Sequence, residues 1–181
     1  GYGRDHPAMD RGIRYLRATQ CDDGSWYGRW GTNYIYGTWS VLNALNAAGE
    51  DMRQPCIRKA VDWLEARQND DGGWGESGAT YWVERKDEPA PSTASTTAWA
   101  LLGLMAAGEV DSPAVKRGVD WLLAQPREES GRWDEKPFTA VGFPRVFYLR
   151  YHGYSHYFPV WALARYRNLT RSNEKTVAWG M

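Results

Sequence analysis

Lys59-Ala60-Val61-Asp62-Trp63-Leu64-Glu65-Ala66-Arg67-Gln68-Asn69-Asp70-Asp71-Gly72-Gly73-Trp74 runs in the order basic, small, aromatic, aliphatic, glutamine and then Gly-x-Trp. The same order stands upstream as Arg11-Gly12, Tyr15-Leu16, Gln20, Gly24-Ser25-Trp26. It stands again downstream as Arg117-Gly118, Trp121-Leu122, Gln125, Gly131-Arg132-Trp133. Copies recurring at roughly 50-residue spacing mark a repeat architecture, in which each unit buries its apolar face on its neighbours. The second interval is longer than the first. Its surplus sits in residues 76–95, where charge, proline and serine predict a long loop.

Ahead of each glutamine, apolar residues recur at i, i+4 and i+7: Met9, Ile13, Leu16; Ile57, Val61, Leu64; Val115, Val119, Leu122. That spacing predicts one-sided surface helices. Between the copies stand residues 36–48 and 97–107, each running into Ala-Ala-Gly, with Gly49 and Gly108 as natural C-caps. Residues 97–105 are apolar almost all round, so that helix is expected to be covered on both sides, and residues 159–166 predict a third of its kind. One-sided helices outside and all-apolar helices inside make an all-α, double-layered array. Such an array is an open solenoid or part of an α/α toroid, a double-layered helical barrel. The strand and turn alternation of a propeller or sandwich is missing.

Composition narrows the function. Lys+Arg and Asp+Glu both number 22, so no basic surplus recruits nucleic acid or anionic lipid. With 43% hydrophobic residues the chain can bury a core, which excludes a disordered segment. The unusual figures are 11 Trp and 11 Tyr against 4 Phe, so indole and phenol rings are used repeatedly. Cys21 and Cys56 lie far apart, which argues against a disulfide framework or zinc knuckle and suits a reducing compartment. The longest nearly apolar run, residues 98–108, falls short of the ~20 residues that cross a membrane. No secretory signal opens the chain, and its start at Gly1, in the lead-in to a helix, reads as a truncated N-terminus.

The recurrent polar and aromatic residues have structural work to do. Gln20, Gln68 and Gln125 are placed to bond to backbone groups at a neighbouring helix end, and Trp26, Trp74 and Trp133 to pack over the glycine turns. Asp22-Asp23 and Asp70-Asp71 precede glycines and read as turn formers rather than an acid/base pair. His152 and His156, four apart, could share a helix face, but no third ligand is suitably spaced, so no metal site is expected.

The Gln-to-Trp repeat is similar to that of the terpene cyclase and mutase family. Gly24-Ser25-Trp26-Tyr27-Gly28-Arg29-Trp30, continuing through Asn33-Tyr34-Ile35-Tyr36-Gly37-Thr38-Trp39, resembles its central block. Gly142-Phe143-Pro144-Arg145-Val146-Phe147-Tyr148-Leu149-Arg150-Tyr151-His152-Gly153-Tyr154 resembles the C-terminal block of bacterial squalene-hopene cyclases. Ala140-Val141-Gly142 departs from the Thr-Gly expected before Phe143. Full family members are several times longer and have two helical domains. The resemblance therefore implies that residues 1–181 are the C-terminal portion of a catalytic α/α-barrel domain.

By that resemblance the parent protein is an isomerase- or lyase-type enzyme that protonates squalene and folds it through carbocations into hopene or hopanol, in hopanoid biosynthesis. No cofactor is implied. A carbocation in a dry pocket would be quenched by water and trapped by carboxylates, so aromatic faces are left to stabilise it. Carried over by position, Phe143 and Phe147 resemble the family's cation-stabilising phenylalanines. Trp30 resembles a substrate-contacting tryptophan and Tyr36 a tyrosine close to the acid. Tyr151 and Tyr154 resemble tyrosines lining the pocket, and Leu149 a residue shaping it; the alternative for each is an ordinary core aromatic or aliphatic.

The family's acid motif, Asp-Xaa-Asp-Asp, occurs nowhere in the chain, so the fragment alone is expected to be inactive. Arg145 and Arg150 are expected to point outward or pair with acids. The resemblance also implies a monotopic enzyme at the cytoplasmic face of a bacterial inner membrane, docked through the missing part, with squalene as partner and a homodimer as one arrangement of the parent. Other readings are a non-catalytic helical-repeat binding module, an inactive remnant, an oxidosqualene cyclase-like toroid and a prenyltransferase-like toroid.

Overall fold

In the computed structural model, residues 3–172 are described. Six helices form three pairs, each an outer helix followed by an inner one: α1 (Pro7–Ala18) with α2 (Tyr34–Ala47), α3 (Pro55–Ala66) with α4 (Ala94–Ala106), and α5 (Pro113–Ala124) with α6 (Tyr154–Arg171). The inner helices α2, α4 and α6 lie side by side with α4 between, and α5 backs α4. Every residue of α4 is buried, as its apolar circumference requires. The outer helices bury one stripe each, Ile57, Ala60, Val61, Trp63 and Leu64 on α3 and Ala114, Val115, Gly118, Val119 and Leu122 on α5. On α1 only Ile13 is buried. All three outer helices open on proline, Pro7, Pro55 and Pro113, whose missing N–H and fixed φ suit a first helical position.

The repeated residues join the layers. Gln20 Nε2 donates to the carbonyl of Gly24 and to that of Cys56 in the first turn of α3, both at 2.8 Å. Gln68 Nε2 does the same to Gly72 at 2.8 Å and to Ala114 in the first turn of α5 at 2.9 Å. Gln125 has no such partner among the described residues. The indole N–H groups of Trp26, Trp74 and Trp133 reach back to the carbonyls of Leu16, Leu64 and Leu122 at 2.7–2.8 Å. Their backbone N–H groups reach forward onto the inner helices, to Thr38 Oγ1, Thr97 Oγ1 and the Ser155 carbonyl. Gly72, at φ +91°, turns the chain where a side chain would also press on the Arg117 carbonyl.

α6 begins earlier and ends later than residues 159–166, and it holds Pro159 in its interior. A proline there leaves the carbonyl four residues back without its helical partner. That carbonyl belongs to Ser155, and the Trp133 N–H occupies it at 3.2 Å. The third repeat is thereby docked onto the point where its inner helix is weakest. His152 lies in the turn before α6 and His156 within it, so the two do not share a helix face.

Two features depart from the all-helical expectation. Residues 140–149 form a short antiparallel hairpin, β1 (Ala140–Phe143) with β2 (Phe147–Leu149), pairing Val141 with Tyr148 and Phe143 with Phe147. The loop after the second Gly-x-Trp is ordered by two 3-10 turns, Gly78–Tyr81 and Val83–Arg85, and yields to α4 at Ala94. Arg145 and Arg150 are both exposed, and among the described residues neither lies within ion-pair distance of an acid. Arg145 Nε donates to the Tyr81 carbonyl at 2.8 Å, while Arg150 bonds the Lys136 carbonyl and stacks on Phe138.

Arg165, on the face of α6 that also buries Pro159, Ala162 and Leu169, is 6% exposed. None of its three guanidinium nitrogens has a hydrogen-bond partner among the described residues, and burial pulls its pKa down to about 10. A buried charge without a partner costs several kcal/mol. Arg165→Met is therefore predicted to stabilise this chain by about 1–4 kcal/mol in chemical denaturation; a less stable variant would show that the guanidinium does favourable work.

Candidate active site

The carried-over residues fall on four segments. Trp30 lies in the segment leading into α2, Tyr36 on the first turns of α2, Phe143, Phe147 and Leu149 on the hairpin, and Tyr151 just before α6 with Tyr154 at its start. Backbone bonds hold the first and third of these together. Val141 N–H donates to the Trp30 carbonyl, and Thr32 N–H to the Thr139 carbonyl, both at 3.0 Å. The hairpin is in effect extended by one pairing with residues 30–32.

On the hairpin, Phe143 and Phe147 meet edge to face with centroids 5.6 Å apart. Close approach requires Gly142, because a Cβ there would lie 2.0 Å from the Phe147 ring. Gly31 plays the same part for Tyr36, whose ring lies against its backbone. From Tyr36 a continuous aromatic layer crosses all three inner helices. Tyr36 packs on Trp39 at 5.4 Å and Trp99 at 5.0 Å, Trp99 on Tyr154 at 5.5 Å and Phe158 at 5.6 Å, and Tyr154 on Tyr151 at 5.1 Å. Trp161 continues the layer through Phe158.

Position-by-position reading missed Trp39, Trp99, Phe158 and Trp161. Their signal is present nonetheless: each nearly apolar segment carries aromatic residues in its first turns.

The site's electrostatics suit uncharged rings. Burial raises the pKa of Tyr36 and pushes that of Tyr154 up to about 12, so both phenols stay neutral at physiological pH. A neutral phenol offers a π face without an anion that would trap a cation. Trp30 differs, because the Arg29 guanidinium already sits 4.9 Å from its ring centre. Its indole is thus engaged by a resident cation. Phe143 and Trp30 are each 55% exposed, Phe147 43% and Tyr151 51%. Large apolar rings are thus left open to solvent on the hairpin and on the segments flanking it.

A buried carboxyl, Glu76, and a partly buried one, Glu135, stand near these elements, and neither is free to act as the acid. Glu76 receives the Tyr34 and Ile35 N–H groups at 2.9 and 2.8 Å and so caps the N-terminus of α2. Glu135 receives Ser95 N–H at 2.7 Å and the Ser95 hydroxyl at 2.9 Å, and caps α4. Both stand two residues after a repeat tryptophan. Each Gly-x-Trp-x-Glu turn therefore caps the inner helix of the preceding pair, a link legible in the sequence as a recurring glutamate.

Desolvation raises the pKa of Glu76 above 4.5 against the pull of those N–H groups. The folded state then holds more protons than the unfolded one above that value, so stability from this group is full below it and lost as pH rises through the folded pKa. The lead of the wild type over Glu76→Gln in thermal unfolding is predicted to narrow as pH rises above the ordinary carboxyl range. A constant gap would place the titration elsewhere.

Residues 1–168 match the sequence profile of the squalene-hopene cyclase C-terminal domain. The chain belongs to this family. It is 65% identical over 171 residues to the squalene-hopene cyclase of Bradyrhizobium diazoefficiens, covering 94% of this chain and 26% of that protein. To the squalene-hopene cyclase of Alicyclobacillus acidocaldarius it is 48% identical over 167 residues, covering 92% and 26%. The chain thus spans about a quarter of the length of these curated relatives. Among solved structures, the type II terpene cyclase MstE from Scytonema superposes with a TM-score of 0.55 at 26% identity, over 77% of this chain and 38% of that one. A form of it bound to geranylgeranyl dihydroxybenzoate superposes at 0.65 and 20% identity, over 88% and 50%, which speaks for the fold alone. The architecture is accordingly a partial α/α toroid. No helix among the described residues is long and apolar enough to cross a membrane.

Proposed function

We propose that this squalene-hopene cyclase C-terminal domain supplies one aromatic wall of the cavity in which a complete cyclase converts squalene into a pentacyclic triterpene. The observation that carries the reading is the Phe143–Phe147 pair, presented half-exposed on a hairpin paired to the Trp30 segment. The neutral tyrosine and tryptophan layer of the inner helices supports it.

Chemically, Phe143 and Phe147 stabilise the cation at the later ring closures, while Tyr151, Tyr154, Trp30 and Leu149 shape the folded substrate. Tyr36 stands nearest the proton donor. The initiating acid comes from outside these residues, since Glu76 and Glu135 are committed to helix caps. Apolar squalene as substrate also motivates docking of the complete protein on the cytoplasmic face of a membrane; dimerisation belongs to the same proposal and rests on resemblance alone.

The test joins this chain to the remainder of the Bradyrhizobium diazoefficiens enzyme in place of the matching segment and supplies squalene. The hybrid is expected to consume squalene and form pentacyclic product, and the chain alone to form none. A folded hybrid without turnover, or turnover by the chain alone, contradicts the proposal.

A further inference from the structure

Residues 76–95 have no part in the chemistry proposed above, yet they touch the Trp30 segment, the start of α2 and the hairpin. Glu76 caps the helix that carries Tyr36. The Tyr148 hydroxyl donates to the Gly78 carbonyl at 3.0 Å, and Arg145 donates to the Tyr81 carbonyl, so β2 and the turn of the hairpin are both tied to the first 3-10 turn. The Tyr81 hydroxyl, on a side chain only 3% exposed, lies 2.7 Å from the Gly28 carbonyl and 3.0 Å from the Gly31 carbonyl. These two carbonyls bracket Arg29-Trp30.

We infer that residues 76–95 form a strap that sets Trp30 against the hairpin, with Tyr81 as the positioning residue. The inference rests on the proposed role of Trp30 in holding substrate. The single phenolic proton is shared between the two carbonyls, which both face it, and this holds residues 28–31 in a bend. The carbonyl of Trp30 itself is held by Val141 on the opposite side. The backbone that carries the indole is therefore held between the strap and the hairpin. Tyr81→Phe removes one oxygen from this arrangement and keeps the ring contacts with Tyr27 at 5.6 Å and Tyr148 at 6.3 Å.

The experiment is a double-variant cycle in the hybrid cyclase, combining Tyr81→Phe with Trp30→Ala and reading the yield of completed and incomplete ring products. Tyr81→Phe alone is expected to lower the rate of complete product by about five- to tenfold and to change the product ratio. In the Trp30→Ala background it is expected to change nothing further.

An equal fold-effect in both backgrounds would show that Tyr81 acts elsewhere and would overturn the inference while leaving the role of Trp30 intact. A Trp30→Ala hybrid with unaltered products would remove the role of Trp30, and the strap with it.

A second readout needs no turnover. With 5-fluorotryptophan incorporated into this chain, Tyr81→Phe is expected to move the Trp30 fluorine resonance and leave that of Trp74 in place. An unmoved Trp30 signal overturns the inference.

Discussion

Phe147→Ala in the complete cyclase is expected to divert squalene from the pentacyclic product into partly cyclised ones. A desolvated cation gains ~2 kcal/mol from a well-placed aromatic face, so the step served by Phe147 should slow by about 30-fold. Elimination from the preceding cation then competes. The geometry sharpens the expectation, because the Phe147 ring lies on Gly142 and meets Phe143 edge to face at 5.6 Å. Truncation removes one ring and also releases its neighbour from its orientation. Phe147→Trp keeps an aromatic face and is expected to retain more of the complete product than Phe147→Ala. Gas chromatography with mass detection of the squalene products checks both. An unchanged product spectrum for Phe147→Ala would remove the residue from the cation's path.

Trp74→Ala is expected to have the largest effect on folding. The ring is fully buried, its indole N–H bonds the Leu64 carbonyl, and its backbone N–H bonds Thr97. It packs so closely on α5 that a Cβ on Gly118 would lie 2.6 Å from the indole. One residue thus joins an outer helix, the next outer helix and an inner helix. A cavity of that size and a lost buried bond cost about 3–5 kcal/mol, enough to unfold a large fraction of an ordinary domain. Tyr15, an aromatic of the same repeat pattern on α1, is 66% exposed. Tyr15→Ala is expected to stay within about 0.5 kcal/mol of the parent. Urea denaturation followed by circular dichroism separates the two, and similar losses for both would refute the layered reading.

Much of this was legible before any coordinates. The i, i+4, i+7 stripes mark the outer helices because only one side of each meets the inner layer, and residues 97–105 mark α4 because neighbours cover it all round. The hairpin was not legible. β1 and β2 are too short to build a two-residue periodicity, and the pairing of Gly31 with Ala140 is a long-range contact. The apolar stretch 159–166 covers only part of α6, which runs through Pro159 because the orphaned Ser155 carbonyl is taken by the Trp133 N–H.

At the site, the resemblance supplied Phe143, Phe147, Trp30, Tyr36, Leu149, Tyr151 and Tyr154 position by position. Their spatial relation came only with the fold. Trp39 and Trp99 look like ordinary core residues in the sequence, and only their contacts with Tyr36 and Tyr154 make them part of the same layer. Residues 76–95 read as a solvent loop because charge and proline dominate them. Thr93, Ala94 and Ser95 are buried where the loop enters α4; the buried residues of its first part, Glu76, Thr80 and Tyr81, are those that bind the site's elements together.

The central claim is that this wall stabilises positive charge by aromatic faces rather than only by shape. The most direct measurement compares how tightly the complete hybrid binds a squalene-length tertiary ammonium and its neutral carbon isostere, with and without Phe143 and Phe147. The account predicts that the ammonium binds more tightly, and that Phe143→Ala combined with Phe147→Ala narrows the preference by about tenfold or more. A preference that survives the double substitution unchanged would contradict it.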